Sequence, residues 1–153
     1  MIQCKPLGIC SWDFRIAGGK NKAILNFNWL SEQGGITIDG YRFEVNKHGM
    51  LSGKWTLDHP KLPSVSAQKG FTRSFDIQDS SGKLRLAADS PFGRSFSIAD
   101  GTSTIAKLAP VHLFTRRSTI RLFNHKVDFA TIAFAFWLVV LTWRRAARNT
   151  NSS

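Results

Sequence analysis

The residues of this chain that could carry catalysis or hold a metal are four histidines, two cysteines and ten acids, and their spacing favours neither role. His48, His59, His112 and His125 are scattered in or beside predicted turns, with no H-E-x-x-H or C-x2-C arrangement to converge on an ion. Cys4 and Cys10 form a C-x5-C pair, neither a common zinc spacing nor a disulfide framework, and read as reduced thiols; no feature of the sequence supports a thiol nucleophile with a histidine base. Among the acids, Asp39, Asp79 and Asp100 fall in turn sequences and Asp128 at a helix start, leaving few candidates for a carboxylate pair of the glycosidase kind. The glycines mark turns, with neither GxxxxGK[ST] nor GxGxxG to cradle phosphate. The expectation is a non-catalytic protein with no cofactor and no metal.

The remaining chemistry is cationic. Twenty-one Lys+Arg against ten Asp+Glu give a formal charge of +11, a field that attracts anionic lipid or nucleic acid alike. Arg116, Arg117, Arg121 and Lys126 precede an apolar segment, and Arg144, Arg145 and Arg148 follow it, while Lys69, Arg73 and Arg94 sit at hairpin starts. If Arg116, Arg117 and Arg121 share a rim with Arg144, Arg145 and Arg148, they would attract phosphate head groups at about 1 kcal/mol per residue near an anionic surface. Peripheral binding to anionic phospholipid is therefore the leading expectation, beside a purely structural one in which the arginines keep a barrel edge wet. Nucleic-acid binding is an alternative; Phe75, Phe96 and Trp29 occupy alternating positions expected to point inward rather than to stack on bases.

Strands must position these groups. ILNFNWL from Ile24 alternates Leu25, Phe27 and Trp29 against Asn26 and Asn28, the period of a half-buried strand, and ITIDGYRFEV reads as a tight hairpin about Asp39-Gly40. The pattern continues through residues 53–58, 64–69, 73–78, 84–88, 94–99, 103–108 and 118–122, with Pro60, Pro63, Pro91 and Pro110 between runs. Arg73-Ser74-Phe75 recurs 21 residues later as Arg94-Ser95-Phe96, and Phe71-Thr72-Arg73 is echoed by Phe114-Thr115-Arg116, implying hairpins of one design. The stretch 127–143, VDFATIAFAFWLVVLTW, predicts a helix that is apolar on every face, which must lie in protein or in lipid. Its 15 uncharged residues from Phe129 to Trp143 reach about 22 Å, short of the about 30 Å of a hydrocarbon core. A closed sheet of ten or more strands is too wide for its own side chains to fill, so the helix is expected as its plug. A single C-terminal membrane anchor at 129–143 is the alternative.

Hairpins such as RSFDIQDSSGKLRL ending in one apolar helix resemble the tubby C-terminal-like superfamily, which includes the LURP-one-related and phospholipid scramblase proteins. The resemblance spans roughly residues 24–145 and implies a closed antiparallel β-barrel around a C-terminal helix. Tubby proteins bind phosphoinositides through basic surface residues, but no lipid-contacting motif aligns here. The expected organisation is a loosely ordered extension over 1–23, one mainly β domain over 24–145 with about ten to twelve short strands, closed or nearly closed around the helix, and a polar tail over 146–153. No uninterrupted apolar run opens the chain, since Lys5, Pro6, Gly8 and Asp13 break it, so a cytoplasmic, membrane-peripheral protein is expected.

Overall fold

The computed structural model describes residues 1–124 and 126–151; His125 and the last two residues of the tail lie outside them. Twelve strands precede one helix: β1 Ile2–Pro6, β2 Phe14–Gly18, β3 Asn21–Phe27, β4 Gly34–Ile38, β5 Tyr41–Lys47, β6 Lys54–His59, β7 Leu62–Lys69, β8 Ser74–Asp79, β9 Gly82–Ala88, β10 Phe96–Ala99, β11 Thr104–Pro110, β12 Ser118–Leu122 and α1 Phe129–Asn151. Each strand pairs antiparallel with its neighbours in the chain, and β1 also pairs with β12, Ile2 opposite Ile120 and Cys4 opposite Ser118, so the sheet closes into a barrel.

Alternation decides which way each strand faces. Cys4, Phe14, Ile16, Leu25, Ile36, Trp55, Phe75, Ile77, Leu86, Phe96, Ile98, Leu108 and Ile120 are buried inside. The residues between them, including Lys5, Arg15, Lys22, Arg42, Glu44, Gln68, Asp76, Arg85 and Lys107, are exposed outside. A barrel charged outside and apolar inside is the inverse of one that crosses a lipid bilayer.

The helix supplies the rest of the interior. All eleven residues from Thr131 to Leu141 are no more than 1% exposed, so no face of that stretch meets solvent. Phe136 meets Phe14 of β2 edge-on at 5.1 Å, Trp137 stacks on Phe27 of β3 at 4.4 Å, and Thr131 donates to the Asp79 carboxylate of β8 at 2.9 Å. The apolar stripe that needed either lipid or protein is thus enclosed by the chain's own sheet. Ile132 N–H donates to the Asp128 carbonyl, which makes Asp128 the residue that opens the helix. Although burial pushes the Asp79 carboxyl up, hydrogen bonds from Ser81, Thr131 and the backbone of Ser81 and Gly82 hold it below the ordinary carboxylate range.

Three expectations are corrected. Residues 1–23 are no loose extension: β1 and β2 lie there, and β1 closes the barrel. The apolar helix runs past 143, to Asn151, because Arg144, Arg145 and Arg148 hold its last turns against residues 28–33. Pro63 and Pro110 lie within strands rather than between them: Pro63 in β7, where the pairing with β6 shifts register and an amide hydrogen is not needed, and Pro110 as the last residue of β11, opposite Ser118.

One pair of glycines separates backbone from side-chain crowding. A Cβ on Gly34 would stand 2.0 Å from the Asn26 carbonyl oxygen and 3.1 Å from the Phe27 Cα, both fixed by the β3–β4 ladder, whereas the atoms nearest a Cβ on Gly35 belong to the Arg42 guanidinium, which can swing away. Gly34→Ala is expected to destabilise by about 3 kcal/mol and Gly35→Ala by under about 1 kcal/mol, read from urea unfolding midpoints.

Candidate functional site

The two ends of the barrel differ. Residues 19–20, 39–40, 60–61 and 80–81 turn the chain at one end in two residues each, with Asp39 and Gly40 both at positive φ. At the other end the connections are longer, over 7–13, 28–33, 48–53, 70–73, 89–95 and 111–117, and the last turns of α1 emerge among them. Each of these six loops carries large apolar side chains at its tip: Ile9, Trp29, Leu30, Met50, Leu51, Phe71, Phe92, Leu113 and Phe114 are all at least 83% exposed. Scattered exposed apolar residues are ordinary, but nine gathered at one end are an interaction surface by composition.

The same end is cationic. Its loops and the helix terminus hold seven arginines, Arg73, Arg94, Arg116, Arg117, Arg144, Arg145 and Arg148, against Asp13, Glu32 and Asp89. Four of them brace the crown. Arg73 Nη1 donates to the carbonyls of Ser90 and Pro91, reaching the next loop at 3.1 and 3.2 Å. Arg94 donates to Thr115, His112 and Leu113 at 2.7, 3.2 and 2.5 Å, and Arg116 to Ser11, Gly8 and Ile9. Arg144, almost fully buried, does the same for Asn28 and Ser31 at 3.1 and 2.7 Å. Each guanidinium also lies over an aromatic ring: Arg73 over Phe96, Arg94 over Trp143, Arg116 over Trp12 and Arg144 over Phe27, at 5.2–5.9 Å. Four of the six loops are thus held by arginine hydrogen bonds to their backbone carbonyls, and their apolar side chains stand exposed.

Of the other candidate cations, Lys69 donates to Gly70 and Thr72 in its own loop, and partial burial lowers its basicity, with Arg145 nearby adding to this. Arg145 pairs with Glu32, and Arg148 reaches the Trp29 carbonyl at 3.5 Å. Arg117 is exposed beside Arg116. Arg121 departs from the expected shared rim: it borders Met1, Gly18, Gly19 and Val127 near the turn end, because β12 runs away from the crown. Trp29 corrects another expectation, standing exposed on a loop just past β3, while Phe75 and Phe96 do point inward.

Glu32 ties helix, loop and barrel together. Arg145 and Lys47 both contact its carboxylate, Lys47 at 2.7 Å, and hold it down to about 2 against an opposing effect of burial. Because the folded value lies below the ordinary 4.5, this stabilisation is present above about pH 4.5 and is lost as pH falls toward 2. Glu32→Gln is expected to cost about 2 kcal/mol at pH 7 and to flatten the acid limb of stability between those values, measured by thermal unfolding across pH.

Two hollows flank the emerging helix. One, of about 480 Å³, is lined by Trp12, Arg73, Phe92, Arg94, Arg116 and Trp143 with the helix residues Ala146, Ala147 and Thr150. The second, of about 450 Å³, lies beside Trp29, Leu30, Arg144 and Arg148. Cys10 is exposed on this rim, whereas Cys4 is buried in the barrel, where its thiol is pushed up and stays protonated. Among the described residues no three or more His, Cys, Asp and Glu side chains gather as metal ligands.

The apolar tips left a trace that strand periodicity overlooks. Trp29, Met50, Phe71, Phe92 and Leu113 follow one another at intervals of 21 residues, and Ile9, Leu30 and Leu51 do likewise one position on. The repeat seen in Arg73 and Arg94 thus extends over the barrel as six hairpins, each with an apolar loop tip. Compared with family models, curated proteins and solved structures, the chain matches none.

Proposed function

We propose that the protein is a non-catalytic module that docks reversibly on anionic membrane surfaces through its loop end. The observation that carries this reading is the coincidence, at one end, of nine exposed apolar tips with a surplus of arginine. Apolar tips half-buried in the headgroup region contribute in proportion to area removed from water, and the cations add attraction to anionic lipid. A second copy of the chain is a poorer occupant, since end-to-end association would oppose two arginine-rich crowns. Anchoring by α1 is also the poorer reading, because 72% of its most apolar window is already buried in the barrel and would have to be withdrawn. A barrel closed around a C-terminal helix is not in conflict with the resemblance to tubby-like and scramblase-like proteins, and a ligand would not follow from a fold.

Nucleic acid is the rival partner, favoured by the exposed Trp29, Phe71, Phe92 and Phe114. Five of the nine tips, Ile9, Leu30, Met50, Leu51 and Leu113, are aliphatic, which suits acyl chains and offers bases nothing to stack on. Flotation with phosphatidylserine-containing and pure phosphatidylcholine vesicles, with and without single-stranded RNA, tests the choice. Binding to the anionic vesicles alone, weakened but not abolished by 0.5 M salt, is the expected result. Retention of RNA without vesicle binding would overturn it.

A further inference from the structure

We infer that the 480 Å³ hollow between α1 and the loops is a site for one amphiphile with a phosphate or carboxylate head and a short aliphatic body. The inference rests on the membrane reading for its biological setting but not for its chemistry. Three guanidinium groups, of Arg73, Arg94 and Arg116, line this hollow, and no carboxylate does. Among the described residues none of the three forms a salt bridge. Bracing the loops does not exhaust them: Arg73 uses only Nη1, and Arg94 and Arg116 use Nη1 and Nη2, so among the described residues no partner takes their Nε–H groups or the Nη2 hydrogens of Arg73. The carbonyl end of α1 offsets part of this charge, about half a unit, which leaves the cations in excess.

The rest of the wall is apolar. Trp12 and Trp143 lie against Arg116 and Arg94, and Phe92, Pro91, Ala146 and Ala147 complete the lining. The two indoles and the ring at the mouth suit a chain of several methylenes, while planar guanidinium groups suit an oxyanion through paired hydrogen bonds. A hydrated inorganic anion would satisfy the arginines but not the indoles, and a neutral alcohol the reverse. The site therefore selects for both features in one molecule, whether that molecule comes from a bilayer or from solution.

Isothermal titration with octyl phosphate below its micelle threshold tests this, with inorganic phosphate and octanol as controls. Octyl phosphate is expected to bind at least tenfold more tightly than either control. Ala147→Trp, which narrows the hollow while keeping all three arginines in the chain, is expected to weaken it at least tenfold while leaving the thermal unfolding midpoint within a few degrees. Octyl phosphate binding no tighter than octanol, or equally well to a folded Ala147→Trp protein, would overturn the site. Vesicle flotation without octyl phosphate binding removes the hollow and spares the docking surface; the opposite pattern removes the docking surface and keeps the hollow.

Discussion

Replacing Trp137 by alanine is expected to destabilise the protein by about 4 kcal/mol, measured by urea unfolding, because the indole is the largest fully buried side chain on the helix and has no exposed atom to lose cheaply. It stacks on Phe27 with rings 10° from parallel, and its Nε1 donates to the Asn26 carbonyl at 3.2 Å. Truncation would therefore open a cavity and take the indole donor from a part-buried carbonyl, two costs that act together. Trp137→Phe keeps most of the volume and loses the hydrogen bond, so about 1–2 kcal/mol is expected. An alanine variant as stable as the parent protein would mean that the helix is not the centre of the fold.

Substituting Phe71, Phe92 and Phe114 together by serine is expected to leave the fold intact and to reduce affinity for anionic vesicles by more than a hundredfold. The three rings are almost fully exposed and sit on separate loops, so little folded-state packing is lost. At about 1 kcal/mol for each half-buried ring, about 3 kcal/mol of binding disappears, and every 1.4 kcal/mol is a factor of ten. Unchanged vesicle affinity in a folded triple variant would contradict the role of the crown. A parallel variant, Arg94→Lys, separates charge from bracing: it keeps the cation but cannot span Thr115, His112 and Leu113 as the guanidinium does.

The barrel was legible because its strands write themselves in alternation. Leu25, Phe75, Ile77, Phe96 and Ile98 all point where period two puts them, and β12 begins at Ser118 and ends at Leu122, the run read from its residues. The helix was legible because no face of 131–141 is polar, and enclosure by a wide sheet is one of two environments that such a rod tolerates. The first two strands were not, since β1 offers only Ile2 and Cys4 to the interior and β2 only Phe14 and Ile16, too few positions to establish a period against Pro6 and Gly18-Gly19. β1 is placed by β12, more than a hundred residues away in sequence, and β2 by β1 and β3.

The candidate site was half legible. Charge marked Arg73, Arg94, Arg116 and Arg144, but only the folded chain shows that they brace neighbouring loops through carbonyl oxygens, a backbone interaction with no residue signature. Arg121 lay close to Arg116 and Arg117 in sequence, yet as the fourth residue of descending β12 it is carried away from them. The apolar tips were missed because alternation was extended through Trp29, where the strand had already ended at Phe27.

Hydrogen–deuterium exchange of the intact protein in detergent-free buffer, with and without anionic vesicles, is the most direct test of how the apolar surface is divided. Amides of residues 131–141 should be among the slowest to exchange before any lipid is added and should not change on its addition, while loops 28–33, 70–73, 89–95 and 111–117 slow when vesicles are present. Fast exchange across 131–141 in buffer, followed by protection only in vesicles, would show that lipid rather than the sheet surrounds the helix.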